Sequence, residues 1–490
     1  MGENNAKPNT AGFVSRAGFG LPLLIAVGAG LALRLLVVAF VYQGFLDPGR
    51  NHWEFGYEAG QVARSIATGG GFASPIWRGA TGPTALVAPV FPYLISAVFR
   101  ISGVFTKASA LALLALNCLF SALTCFPVFL VAKRSFGFRT AKWATWMWAF
   151  FPYAVYFSAD NMWNHSFMAL LLALLFLFVQ HLESSDHVSA WMGFGLLFGF
   201  SALVRPAILG TLPFLGGWAC YRLARQGKHW MKVATLGALA VFITILPWLV
   251  RNYLAIRRPV FLQDNFWMEV CVGNLGDARH WWNGAVHPCD SVTEMHEYQR
   301  LGEIGYMAEK RRQALAFITS NPGTYVLRSI RRVGFMWTGF WSMNRDYLHE
   351  EPLDPANILF LTSFTVLALG GLYQAFRKVP QTAMPYFLAV ITFPDVYYLT
   401  HPDPGFRHPL DPLLVILASY LLVSRCSSSR GIVPEAEIRK SNVAAREGGT
   451  NHEVGLLFPG RRALSSPSRR AVPSPVDPSP EGGFGPQGEG

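Results

Sequence analysis

Glu54 and Glu58 stand four residues apart in a polar stretch, NHWEFGYEAGQVARSIATGGGF, that begins at Asn51. In a helix that spacing puts both carboxylates on one face, with Gln61 beside them and Arg64 further along. Two carboxylates so placed are tolerated if water solvates them, if a cation sits between them, or if one has a raised pKa. A carboxylate of raised pKa can serve as a general base. The bland alternative is a solvated amphipathic helix lying on a membrane surface. Either helix is stopped by Gly69-Gly70-Gly71.

The rest of the chain decides where such a helix would lie. Of its 490 residues, 52% are hydrophobic and 14% charged, against about a quarter charged in soluble domains. Several continuous apolar runs approach the roughly 20 residues that cross a bilayer. In lipid only helices or closed barrels satisfy the backbone, and continuous rather than alternating runs exclude a barrel. The expectation is an all-α polytopic membrane protein with about ten to thirteen transmembrane helices, the shorter runs counting as half-spans. The formal net charge of +12 then marks cytoplasmic loops and anionic headgroups rather than nucleic acid.

The first span, residues 21–42, contains Arg34, which must face the protein interior or snorkel. Two long polar segments follow at about 43–85 and 251–330. The basic clusters KRSFGFRTAK (133–142), RLARQGKHWMK (222–232) and RK (377–378) read as cytoplasmic, which puts both polar segments and the turn SADNMWNH (158–165) on the other side. One conflict stands. If the N-terminus is inside and both runs between 86 and 132 cross, the cluster at 133–142 falls outside, so one run is re-entrant or the basic rule fails there. Residues 1–20 read as a cytoplasmic segment and not as a cleaved signal peptide. Residues 426–490, rich in Ser, Pro and Gly, read as a disordered tail after a transmembrane domain of 21–425. Cys271 and Cys289 share the second polar segment and either pair or remain thiols. That segment also carries GEIGYMAEKRRQALAFITSNPGTY (302–325), an amphipathic surface helix ended by Asn-Pro.

The order of several pieces resembles the GT-C glycosyltransferases, especially family 39 and the aminoarabinose-transferase-like group. The pieces are YEAGQVARSIATGGGF, GPTALVAPVFPYLI, VFRISG, RTAKWATWMWAFFPYAVYFSADNMW, FSALVRPAILGTLP and YYLTHPDPGFRHPLDPLLVILASYLL. The likeness covers most of the chain to about residue 425. It implies a GT-C-like helical bundle, a sugar donor on a polyprenyl phosphate, and a lipid, glycan or protein acceptor. It implies an acid of the first external loop as catalytic base, with Glu58 first and Glu54 second. The family's usual Asp-Glu dyad is absent here. By the same resemblance the cell membrane is a bacterial inner membrane and the site is extracytoplasmic.

Sugar transfer from a lipid phosphate needs the departing phosphate stabilised by cations or a metal. Arg64, Arg78, Arg205, His401, Arg407 and His408 are the candidates. Arg407 leads because a guanidinium binds phosphate bidentately and this one stands at a span boundary; snorkelling at a helix end is its plain alternative. Arg205 stands in a break between apolar runs, where an interior role is expected, whereas Arg78 reads as solvated. Asp160, Asn161 and His165 could line the acceptor site or hold a divalent metal, but two ligands without a third do not define a metal site. The aromatics of FWMEVCVGNLGDARHWWNGAVHP (266–288) offer either a sugar platform or interfacial anchors. A secondary transporter or lipid or glycan flippase is the rival class. It should show repeated halves, and no convincing pair is seen.

Overall fold

The structure is a computed structural model that describes residues 20–40, 55–76, 79–160, 162–276, 282–342, 345, 348 and 354–428. Glu54, Arg78, Asn161, most of the N-terminal segment and residues 429–490 of the tail lie outside the described residues. The described chain is helical, with one isolated antiparallel bridge, Ala73 to Pro83.

The elements that bear on the site are α1 (Leu21–Phe40), α2 (Glu58–Ala67), α3 (Val90–Ser102), α4 (Lys107–Leu123), α5 (Cys125–Phe136), α6 (Phe138–Ala149), α7 (Pro152–Ala159), α8 (His165–Leu182), α9 (Val188–Val204), α10 (Leu212–Ala224), α11 (Trp230–Ile256), α12 (Phe266–Asn274), α13 (Val292–Ser320) and α14 (Pro322–Thr338). Later helices span Asp354–Lys378, Pro380–Thr392 and Asp411–Ser428.

Six described stretches are long and apolar enough to cross a membrane: Leu21–Phe40, Lys107–Phe136, His165–Leu182, Trp230–Ile256, Pro355–Lys378 and Pro404–Cys426. Val90–Ser102 and Val188–Val204 are shorter apolar helices. The expected ten to thirteen includes short runs that the backbone interrupts. Gly137 (φ 90°) parts α5 from α6, Pro152 opens α7, and Arg205-Pro206 ends α9. A helix as short as α3, 13 residues, reaches only about 20 Å against a hydrocarbon core of about 30 Å. Lys107–Phe136 runs for 30 residues, started by a capping box in which the Thr106 hydroxyl accepts from Ser109 N and Thr106 N donates to Ser109 Oγ. If α3 enters the membrane without crossing it and Lys107–Phe136 crosses, the basic cluster at 133–142 falls on the side of Gly20, which is the re-entrant alternative.

Arg34 is wholly buried and holds the bundle together from within. Its guanidinium donates to Gly30 O (2.8 Å), Ala149 O (2.7 Å), Trp148 O (3.2 Å) and Ser121 Oγ (3.0 Å). Gly30 O lies within α1; the other two carbonyls lie at the end of α6, where Trp148 O also accepts from Phe151 N (3.2 Å). Elsewhere small residues let backbones close up. A Cβ on Gly195 of α9 would lie 2.2 Å from Gly237 O of α11.

The two polar segments clasp each other. Glu303 accepts from Ala85 N (2.6 Å), Tyr298 OH (2.6 Å) and Thr84 Oγ1. Arg251 donates to Thr84 O (2.6 Å), and Asp264 N donates to Ala85 O (3.2 Å). The helix expected at 302–325 starts at a break at Gly302 (φ 66°, ψ 167°), which parts it from a preceding helix that begins at Val292, and it stops at Asn321 before Pro322. Cys271 and Cys289 are both free and buried. The Cys271 thiol donates to Lys310 O at 3.3 Å, so the pairing left open by the sequence is not made.

Candidate functional site

Glu58 is placed by a strained turn. Gly56 has φ 77°, where a Cβ would fall 2.9 Å from Met162 O. Tyr57 follows with φ 55° and ψ −119°, a region that non-glycine residues avoid. Such a backbone costs on the order of 1–3 kcal/mol and persists only where its surroundings hold it. Here Tyr57 is buried, its hydroxyl donates to Asp290, and its ring packs on Trp282 and His287. The turn leaves Glu58 in the first turn of α2, where the helix dipole favours an anion.

Glu58 lines a cavity of about 390 Å³ with Arg205, Asn164, Glu269, His401, Trp163 and Trp282 among its other walls. Across from it, His287 Nε2 lies 3.2 Å from Glu58 Oε1. His287 Nδ1 accepts from Cys289 N at 3.2 Å. Nε2 makes no hydrogen bond by distance and angle, so its approach to the glutamate is a close contact only. Glu269 is a second acid in the same wall. Its Oε1 accepts from Asn265 Nδ2 (2.8 Å), while its Oε2 makes no hydrogen bond and lies 3.4 Å from His401 Nδ1. Burial pushes the Glu269 carboxyl up to about 7, with Glu58 adding to the rise and His287 opposing it. Burial and then the positive Arg332 push His401 down to about 3, so its ring is neutral.

Arg205 is held rather than free to swing. Its Nε and Nη2 both donate to Asn164 Oδ1 (3.1 and 2.6 Å), and Nη2 contacts His165 Nδ1 at 2.9 Å. The Asn164 amide is oriented by donating to Val204 O at 3.0 Å. The remaining nitrogen, Nη1, is buried and makes no hydrogen bond. A buried, unsatisfied cationic donor in a cavity wall is what an anionic ligand would complete.

Of the residues singled out from sequence, Glu58, Arg205 and His401 meet in this cavity and His165 stands behind Arg205. Arg64, Asp160, Arg407 and His408 are not among the lining residues. Arg407 is buried with Nε 3.2 Å from Asp411 Oδ1 and its guanidinium over the rings of Trp337 and Phe364. His408 shares the same aspartate, Nδ1 to Oδ2 at 2.9 Å. Asp411 faces the Arg407 charge at 3.2 Å, whereas the side chains that accept hydrogen bonds from Arg205 are neutral and the nearby charge is that of Asp403. Glu269, His287, Asn265 and Tyr57 received no role from the sequence. The available signal was a lone carboxylate in the apolar nonamer FWMEVCVGN.

Glu58, His287 and Cys289 bring donor atoms within 4.8 Å of one another, a spacing a metal ion could bridge. Cys289 weakens the set: burial, reinforced by Glu58, holds its thiol well above its usual range, and a thiol must lose its proton to bind a metal.

Residues 86–250 match the family model for dolichyl-phosphate-mannose-protein mannosyltransferase. Over that stretch, about a third of its length, the chain is similar to this family of membrane glycosyltransferases. No curated protein sequence matches it. Among solved structures, the apo oligosaccharyltransferase of Archaeoglobus fulgidus has a TM-score of 0.47 and 16% identity, with 89% of this chain covering 52% of that one. Apo ArnT from Cupriavidus metallidurans has a TM-score of 0.44 and 15% identity, with 86% of this chain covering 63% of that one. This chain therefore spans less than two thirds of either, and likeness at that level assigns no residue.

Proposed function

We propose that this protein is a GT-C glycosyltransferase that moves a hexosyl or pentosyl group from a polyprenyl-phosphate donor to a lipid, glycan or protein acceptor. The observation that carries the reading is that Glu58 and the unsatisfied Arg205 nitrogen line one cavity. In the proposed reaction Glu58 takes the proton of the acceptor hydroxyl as its oxygen attacks the anomeric carbon. The bond from that carbon to the phosphate oxygen breaks, and the electron pair leaves with polyprenyl phosphate, whose charge Arg205 Nη1 stabilises.

His287 Nε2, 3.2 Å from Glu58 Oε1, holds the carboxylate in place by close contact. Glu269, with its carboxyl near 7, retains a proton for part of the time at neutral pH and spares the cavity a second full negative charge. Leu86, Phe91, Leu209, Phe261 and Phe266 supply apolar wall for the first isoprene units. The family description, which names a dolichyl-phosphate sugar, supports the donor class. We place the protein in a bacterial cell membrane with the cavity on the extracytoplasmic side, opposite the basic clusters. Incubating reconstituted protein with a panel of polyprenyl-phosphate hexoses and pentoses tests the reading. Release of polyprenyl phosphate and gain of one sugar by an acceptor in membrane extract are expected. A folded protein that releases none from any donor overturns it.

A further inference from the structure

A second cavity, of about 470 Å³, lies between the end of α10 and the start of the helix Pro380–Thr392. Trp218, Tyr221, Arg222, Arg225, Gln226 and Gln381 are among its walls. The 13 residues of α10 put it about 20 Å along the helix from the turn that follows Arg205. It sits in the basic segment 222–232, and Arg377 and Lys378 close the helix just before Pro380.

The wall is braced before any ligand arrives. Glu183 accepts from Trp218 Nε1 at 2.9 Å, and its other oxygen stands 3.8 Å from Arg222 Nε. Gln226 Nε2 donates to Glu183 O (2.7 Å) and Arg222 O (2.9 Å). The Arg222 guanidinium lies over the Trp218 ring, 5.8 Å from its centroid. Even so, Arg222 Nε is buried without a hydrogen bond, and Arg225 is exposed. The negative end of α10 is turned away from the cavity's use. Gly227 (φ 71°) folds the chain back so that Gly227 N and Lys228 N bond Ala224 O (3.0 Å) and Leu223 O (3.1 Å). Tyr221 and Phe214 are 54% and 47% exposed on the same helix, an outer face suited to lipid.

Two arginines against one glutamate, aromatic rings at interfacial depth and an outward apolar face match the surroundings of a lipid phosphate. We propose that this cavity binds the phosphate of an anionic phospholipid headgroup on the basic side of the membrane. The site is independent of the cavity around Glu58 and needs no sugar donor.

The test uses the full chain in detergent, titrated with phosphatidylglycerol or phosphatidylcholine and read by native mass spectrometry. Arg222→Ala/Arg225→Ala should weaken phosphatidylglycerol retention on the order of tenfold, as loss of charge-assisted hydrogen bonds implies, and leave phosphatidylcholine retention unchanged. Arg225→Ala alone changes an exposed side chain and should give a smaller loss, while Arg312→Ala, exposed on α13, serves as control. Competition by millimolar inorganic phosphate would assign the site to free phosphate, and its absence to the lipid. Equal phosphatidylglycerol retention in the parent and both cavity variants overturns the proposal.

Discussion

Glu58 and His287, far apart in sequence, face each other at 3.2 Å across the wall of one cavity. The histidine is itself fixed, because its Nδ1 is taken by Cys289 N. Glu58→Gln keeps the shape and the contact but removes the proton acceptor. Transfer should fall by about 10² to 10⁴-fold, the usual worth of a general base, with the thermal melt unchanged. His287→Ala should lower the rate less. If Glu269→Gln abolished transfer while Glu58→Gln spared it, the roles assigned to the two acids would be reversed.

Arg205 presents one nitrogen to the cavity because Asn164 and His165 hold the others. Arg205→Lys keeps the charge and loses the planar fork, so kcat/KM should fall about 10- to 100-fold. Asn164→Ala leaves the guanidinium in place but unfixed. Its effect should be smaller and should largely vanish in the Arg205→Lys background, as a double-mutant cycle on kcat/KM would read. Full additivity would mean that Asn164 does not act through Arg205.

The helical membrane class and the short helix that Glu58 begins were legible in sequence because both depend on local composition: long apolar runs, and a mild helix before three glycines. What was not legible depends on contacts between distant segments. Arg407 has the residue type and boundary position expected of a phosphate ligand, yet Asp411 one turn later compensates it. Arg205 has an ordinary Arg-Pro context, and only the turn bearing Asn164 and His165 reveals which nitrogen is left over. Glu269 and His287 sit in a stretch dominated by aromatics. Their meeting with Glu58 is set by how the second polar segment folds over the first.

Asp264 tests that clasp. Neither of its carboxyl oxygens has a hydrogen-bond partner among the described residues by distance and angle, and burial, then the neighbouring Glu303, pushes it up to about 8. Its folded-state pKa lies above the unfolded value near 3.9. The folded state therefore holds the extra proton across this window, and stability is lost as pH rises from about 4 to about 8. Asp264→Asn cannot ionise. The parent should lose thermal stability over that range in detergent, and the variant should lose less, giving a crossover in their melting temperatures at the alkaline end. Parallel melting curves against pH would remove Asp264 as the titrating group.

Arg34 is the last case, because a buried cation in the first span would ordinarily invite a functional reading. Every one of its nitrogens meets an acceptor: three carbonyls and the Ser121 hydroxyl. Ser121 is in turn committed, its Oγ donating to Ala154 O (3.1 Å) and its carbonyl accepting from Trp148 Nε1 (2.8 Å). The arginine thus satisfies backbone that the break before α7 exposes in a region with no water to do so. Arg34→Leu restores apolarity but strands Ala149 O, at a cost of about 1–3 kcal/mol if left unsatisfied. Arg34→Lys, with three donors on a point charge, should fall between the two. The expected order of thermal stability in detergent is parent, Arg34→Lys, Arg34→Leu, with activity per folded molecule retained in the lysine variant. An Arg34→Leu protein as stable as the parent would show that the break before α7 closes without the clamp.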